Sequence, residues 1–277
     1  MRIRATVAAV SGALALSALA VPSAQAAGDS GTPYTLNVSF SNLSIAKAIK
    51  VGTTAHVSAK YTYKLTHSAD VDITASDFYT DAFLYKGSYS DSAPELYGDA
   101  DSATCTATSS TTANCTGYVD IYPADGDLKS AWAGSWNVAA EAVAFDGQST
   151  SDPDLSKVGY KDQSGLATTL VQRLSKLTAN ATPEPVKKGK TITVTGSLTR
   201  ANWDTNKYAG YGSQSVKLQF RKKGSSTYTT LKTIKSSSTG ALKTTTTATV
   251  DGYYRYSFAG TSTTPAVNAT GDYVDVQ

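Results

Sequence analysis

Aspartate is the residue that chemistry would use first in this sequence. Four Asp-x-Asp pairs occur before residue 155: Asp70/Asp72, Asp99/Asp101, Asp125/Asp127 and Asp152/Asp154. Calcium takes about six to eight oxygens, several of them carboxylate, with backbone carbonyls from flexible loops completing the shell. The last three pairs lie in stretches rich in Gly, Ser and Pro, and Asp146 stands close enough to Asp152 to join it. Asp99, Asp101, Asp125, Asp127, Asp146, Asp152 and Asp154 are therefore the candidate metal ligands, and calcium is the candidate cofactor. None of these stretches follows the EF-hand loop pattern. The competing reading is that Asp is a turn former, because its side chain bonds backbone two residues on.

Enzyme chemistry finds few residues to work with. There are two histidines, His56 and His67, and three glutamates, Glu95, Glu141 and Glu184. His56 falls on the polar side of an alternating run and His67 at its end among Ser and Asp, so both read as solvated. No Gly-x-Ser-x-Gly elbow, His-Glu-x-x-His helix, phosphate loop or dinucleotide fingerprint is present. A polysaccharide-active enzyme needs only two carboxylates and stays as the alternative. Glu141 is its most suggestive member, lying in an otherwise apolar strand, although an outward position is expected for it. The reading is otherwise non-enzymatic.

One loop looks made for contact, and the basic residues suggest a surface. Residues 200–214 gather Trp203, Tyr208 and Tyr211 with Asn202, Asp204 and Asn206, the mixture of flat apolar surface and polar handles that binding loops favour. The bland alternative has Trp203 and Tyr211 capping a small core. Lysine and arginine cluster at Lys187, Lys188 and Lys190 and at Arg221, Lys222 and Lys223, with Lys217, Lys232, Lys235 and Lys243 extending a basic strip. Outside a cell the anions to meet are cell-wall or other extracellular polymers. Nucleic acid is not expected, since no recognition motif accompanies the charge. Lysines guarding strand edges are the plain explanation.

The elements that must position these residues are strands. Period-two alternation runs through Tyr34–Phe40 and through Val51–Leu65, with Ala59, Tyr61 and Tyr63 on one face. Strands are expected at 77–85, 115–122, 134–147 and about 167–174, separated by a long loop at 87–104 and a polar excursion at 148–165. The run from Gly134 is apolar on both faces, as a central strand should be. About seven further short strands follow between residues 190 and 277, the spacing of a β-sandwich. A Gly-x-aromatic-x-apolar motif recurs at Gly134/Trp136/Val138 and Gly252/Tyr254/Tyr256, pointing to two sandwiches. The fold class expected is all-β, two antiparallel immunoglobulin-like sandwiches in tandem.

Compartment and charge frame that expectation. Arg2 and Arg4, the apolar run Val7–Val21 and Ala24-Gln25-Ala26 read as a cleaved signal peptide over 1–26, making the chain secreted, with no membrane span after its removal. Cys105 and Cys115 in an oxidising space are expected to form a disulfide, a redox or metal pair lacking both close spacing and further ligands. From residue 27 to 177 there are ten Lys/Arg against seventeen Asp/Glu, and from 178 to 277 thirteen against five. Composition thus changes sign at a joint rich in proline. An acidic domain at 27–176 and a basic domain at 177–277 are expected, with the short joint holding them in one pose and their opposite charges face to face.

The run Pro185 through Gly196, followed by Ala201–Asp204, Tyr208–Tyr211 and Ser215–Phe220, resembles the C-terminal module of exported actinobacterial proteins. These are tandem immunoglobulin-like or fibronectin-III-like sandwiches, sometimes labelled calcium-binding protein. The resemblance covers 1–26 and 175–277 and the first sandwich only in outline. It implies the fold and little about activity. The function expected is an exported binding or structural module of the extracellular space or cell envelope, a surface adhesin being a further alternative.

Overall fold

The computed structural model describes residues 31–277, so the expected signal peptide lies outside the described residues. Ten strands lead the chain: β1 (Tyr34–Thr35), β2 (Val38–Ile45), β3 (Ala48–Val51), β4 (Val57–His67), β5 (Phe78–Tyr85), β6 (Glu95–Leu96), β7 (Thr104–Ser109), β8 (Thr112–Ile121), β9 (Gly134–Ala144) and β10 (Gly159–Arg173). Ten more follow: β11 (Ser175–Leu177), β12 (Asn180–Thr182), β13 (Thr191–Asn202), β14 (Lys207–Gly210), β15 (Ser215–Lys222), β16 (Thr229–Lys235), β17 (Ala241–Thr247), β18 (Gly252–Phe258), β19 (Val267–Asn268) and β20 (Asp272–Val274). The only helical turns among the described residues are short 3-10 pieces, as at Pro123–Asp125 and Leu155–Lys157. The all-β class expected from alternation is what the chain adopts.

Two compact units divide it. The first takes 31–47, 58–120 and 136–169; the second takes 48–57, 121–135 and 170–277. Each is therefore assembled from separated stretches.

The first unit stacks one sheet, β1-β10-β9-β5-β6, on another, β2-β4-β8-β7. Phe40, Ala59, Tyr63 and Leu65 are buried with Ala82, Trp136, Val138, Ala140 and Ala142. Tyr61 donates its hydroxyl to Asp81 across the layers, and the hydroxyls of Tyr63 and Thr80 meet at 2.8 Å. β9 is central, flanked by β10 and β5, which accounts for its apolar faces. Cys105 and Cys115 are directly opposite in the β7–β8 hairpin and form the expected disulfide.

The second unit closes β13, with β11, β12, β14 and β17 along it, over the sheet β16-β15-β18-β19 with β20 also on β18. Ile192, Val194 and Leu198 meet Val216, Leu218, Tyr254, Tyr256 and Phe258 in one core. The Tyr256 hydroxyl donates to the Val194 carbonyl of the opposite sheet at 2.8 Å, so a buried O–H is matched rather than stranded. Within this unit β3 lies parallel to the last residues of β10, from Ala48 opposite Leu170 to Val51 opposite Arg173.

Three elements differ from the sequence reading. The run Val51–Leu65 is broken at 52–56, where the chain passes from β3, paired with β10, to β4, paired with β2. β10 begins at Gly159, inside the supposed polar excursion, paired in parallel with Tyr34 and Thr35. The long loop 87–104 contains β6, whose Glu95 stands opposite Tyr85.

Candidate functional site

The outer face of the first unit's β10-β9-β5-β6 sheet carries Glu95, Glu141 and Asp162 among the rings of Phe83, Tyr85, Tyr89, Tyr97 and Tyr160. Alternation on β9 sends Trp136, Val138 and Ala140 inward, leaving Asn137, Ala139 and Glu141 on the other face. Register continues that face onto β5, with Phe83 opposite Ala139 and Tyr85 opposite Asn137, and onto β6 through Glu95. Tyr97 lies two residues beyond Glu95, and Tyr160 and Asp162 are two apart on β10.

Each carboxylate is tied to a tyrosine. Tyr160 donates to Glu141 Oε2 at 3.1 Å, Tyr97 to Glu95 Oε2 at 2.7 Å, and Tyr89, on the loop after β5, to Asp162 Oδ2 at 2.6 Å. The rings pack on one another: Tyr97 is stacked on Phe83 with centroids 4.5 Å apart, and Tyr89 meets Tyr85 edge-on at 5.0 Å. Phe83 and Tyr85 are buried, Glu141 is 9% exposed, and Tyr89 at 38% is the open member.

Electrostatics follows from crowding. Burial raises the Tyr89 hydroxyl's pKa, and Asp162, Glu141 and Glu95 add to the rise through their negative charge. Tyr160 is raised in the same way, by burial first and then by Glu141 and Asp162. Burial also raises the Glu95 carboxyl, with Asp91 adding and the Tyr97 O–H opposing. Tyr89 and Tyr160 stay protonated and act as donors. Each carboxylate accepts an O–H from its tyrosine, which fixes it on the sheet face.

The predicted calcium ligands are placed one by one. Asp99 is exposed, and its amide N–H donates to Asp120 Oδ2 at 3.0 Å. Asp101 and Asp152 are exposed. Asp154 caps the turn at Leu155–Lys157, accepting from the Ser156 hydroxyl at 2.6 Å and pairing with Lys157 at 3.1 Å. Asp146 adopts a left-handed backbone, φ 49°, and accepts the Tyr34 hydroxyl, whose pKa is pushed up to about 12 by burial and by that contact. In the second unit Asp125 ends a 3-10 turn, and Asp127 Oδ2 accepts the Tyr122 amide at 2.8 Å. No three of the seven bring their carboxylate oxygens within 4.8 Å of one another among the described residues.

The predicted contact loop at 200–214 is a hairpin, β13 running into β14 with Asn202 opposite Lys207. Trp203 at its tip is 2% exposed, and its Nε1–H donates to the Gly52 carbonyl at 2.9 Å. Its amide donates to the Ser130 hydroxyl at 3.0 Å. Tyr208 lies under the Lys176 ammonium at 3.8 Å, and Tyr211 under the Arg200 guanidinium at the same distance while packing against the core. Among the histidines, His56 stacks on Tyr122 at 4.3 Å, whereas His67 is buried, correcting its expected solvation. As the last residue of β4, opposite Val38, His67 continues the buried Tyr63/Leu65 face.

Sequence reasoning singled out Glu141 and counted Glu95 but missed Tyr89, Tyr97, Tyr160 and Asp162. The spacings Glu95-x-Tyr97 and Tyr160-x-Asp162 carried a signal, since residues two apart share a face once a strand is granted.

No protein-family model matches the chain, and no curated protein does. Solved structures resemble it weakly. A three-immunoglobulin-domain segment of titin is 10% identical over 87% of this chain and 66% of that one, TM-score 0.34. The adhesin InvE of Yersinia pseudotuberculosis is 14% identical over 86% and 60%, TM-score 0.26. Three N-terminal domains of the outer capsid protein Hoc of bacteriophage RB49 are 10% identical over 87% and 70%, TM-score 0.30. The chain thus spans less than two thirds of the first two, and likenesses this low carry no statement of what it binds.

Proposed function

We propose that the chain is an exported, non-enzymatic binding module of the extracellular space or cell envelope, and that it binds a hydroxyl-rich polymer on the tyrosine–carboxylate face of its first unit. The observation that supports this most is the pairing of Tyr89, Tyr97 and Tyr160 with Asp162, Glu95 and Glu141 on one sheet face. Fixed carboxylates accept hydrogen bonds from sugar hydroxyls, and the rings offer flat apolar surface to sugar C–H groups. Retention on insoluble polysaccharides tests it. Tyr89→Ala should weaken retention about tenfold while leaving the fold intact, since its ring is the exposed one. Equal retention of Tyr89→Ala, or none by the parent chain on any such polymer, ends the proposal.

A second reading has one observation in its favour. Glu95 is a carboxyl whose pKa is raised by burial, as a general acid needs, and Glu141 lies on the same sheet face. Release of reducing ends that Glu95→Gln abolishes would replace the binding module with an enzyme.

Calcium belongs to the proposal where the amide of Asp99, on the loop before β7, meets the carboxylate of Asp120 on β8. Its support is the acidic surplus of residues 27–177. Millimolar calcium should raise the melting temperature, and Asp120→Asn should remove the rise. An unchanged midpoint in calcium and in chelator ends this part.

A further inference from the structure

The second unit carries a different surface on the outer face of the sheet containing β15, β18 and β20. Alternation on β18 buries Tyr254, Tyr256 and Phe258 and leaves Tyr253, Arg255 and Ser257 outside. On β15 the outer positions are Lys217, Gln219 and Arg221, with Gln219 opposite Arg255 and Arg221 opposite Tyr253. Tyr273 of β20 stands on the far side of Tyr253.

These residues interleave cations with rings. The Arg221 guanidinium lies 4.0 Å from the Tyr253 ring centre, and that of Arg255 lies 3.7 Å from Tyr228. The Lys223 ammonium is 5.3 Å from Tyr273. Stacking holds each guanidinium in a set plane. Both arginines also bond neutral oxygens: Arg255 Nε donates to Gln219 Oε1 at 2.9 Å, and Arg221 Nη1 to the Ser225 carbonyl at 2.6 Å. Arg221 also hydrogen-bonds the Tyr228 and Tyr253 side chains, which holds its pKa up, and a guanidinium has about five N–H groups in all. Lys223 pairs with Asp251 at 3.4 Å.

Edge protection does not explain this arrangement. β15 lies between β16 and β18, and β18 between β15 and β19, so Arg221 and Arg255 stand on interior strands. The row from Lys217 to Lys223 extends about 20 Å at about 3.3 Å per residue, longer than any small anion. Residues 178–277 carry thirteen Lys/Arg against five Asp/Glu, so the surroundings favour a polyanion.

We propose that this face binds a linear acidic polysaccharide, its carboxylates taken by the outer N–H edges of Arg221 and Arg255 and by the flanking ammonium groups of Lys217 and Lys223. Single-stranded nucleic acid is disfavoured because base stacking needs open aromatic faces, and the faces of Tyr253 and Tyr228 are covered by guanidinium. The inference rests on the second unit alone and stands whether or not the first unit binds polymer.

The test is retardation of the purified chain in native gels containing polygalacturonate, with neutral dextran as control and oligothymidylate as competitor. The double variant R221Q/R255Q should bind at least about tenfold more weakly, the loss expected for charge-assisted contacts. The variant K187Q/K188Q, which removes the same charge elsewhere in the second unit, should stay within about twofold of the parent. Circular dichroism checks the fold; if the double variant does not fold, the single variant R255Q takes its place and should still bind detectably less. The inference is overturned if the parent is not retarded, if K187Q/K188Q loses as much as the arginine variant, or if oligothymidylate binds more tightly through the same arginines.

Discussion

Single residues in this chain are held by burial and by what burial demands. Tyr61 and Asp81 are 1% and 3% exposed, and the tyrosine hydroxyl donates to the carboxylate, which also takes the Ala82 amide N–H at 2.7 Å. Burial first, and then the Asp81 charge, raise the Tyr61 pKa, so the O–H is kept as a donor. Tyr61→Phe removes that donor from a buried carboxylate and should cost about 2–3 kcal/mol in urea unfolding. A loss below about 0.5 kcal/mol, the size of an ordinary surface change, would mean the O–H is not needed there. Glu95 gives the opposite case. Its carboxyl is raised in the folded chain, chiefly by burial, so protonation favours folding. That contribution is complete below the unfolded pKa, near about 4.3, and is lost as pH rises through the folded value. Glu95→Gln never carries the charge, so it should melt higher than the parent at neutral pH and lose that advantage below about pH 4. A melting difference that does not change with pH would refute the assignment.

Among elements, two hairpins show different ways of fixing a turn. The β7–β8 hairpin is mostly exposed on β7, and its bridge joins cysteines ten positions apart. Closing a loop of that length should stabilise by about 3 kcal/mol through the unfolded state, so Cys105→Ser/Cys115→Ser should lower unfolding stability by about that much. A change under about 1 kcal/mol would mean the hairpin contributes little to the cooperative fold. The β13–β14 hairpin is fixed from inside. Trp203 gives its N–H to Gly52, while Asp204 Oδ1 accepts the Ser130 amide at 3.2 Å, and the Ser130 hydroxyl beside it holds the Asp204 carboxyl below the usual range. Trp203→Phe, which leaves the Gly52 carbonyl unpaired and a void beside it, should cost about 2–4 kcal/mol. Strand alternation made most of these elements legible, β9 above all. It could not show that residues 200–214 form a hairpin, because Trp203 reads equally well as loop anchor and as buried tip. It also passed over β10 from Gly159 to Asp162, where the outward residues are the polar ones and the strand resembles a loop.

At the scale of the whole chain, composition made the change in charge legible but not the two faces proposed to use it. The acidic surplus points to loops, and it does not reveal Glu95 and Glu141, which register gathers from strands far apart in sequence. Composition also could not express that the first unit ends at 169 while the second takes in 48–57 and 121–135, since pairing, not order, decides membership. The two proposed surfaces belong to different units and differ in physics, which makes them separable in one experiment. Hydrogen bonds and ring contacts to a neutral polysaccharide in the first unit are barely screened by salt. Guanidinium and ammonium contacts to a polyuronate in the second unit act over a Debye length that shrinks from about 10 Å at 0.1 M salt to about 3 Å at 1 M. Raising salt over that range should therefore weaken polygalacturonate binding by at least about tenfold and leave retention on neutral polysaccharide within about twofold. Tyr89→Ala should weaken only the salt-insensitive binding, and R221Q/R255Q only the salt-sensitive one. If either variant removed both activities, or if both responded alike to salt, the two surfaces would not be independent sites.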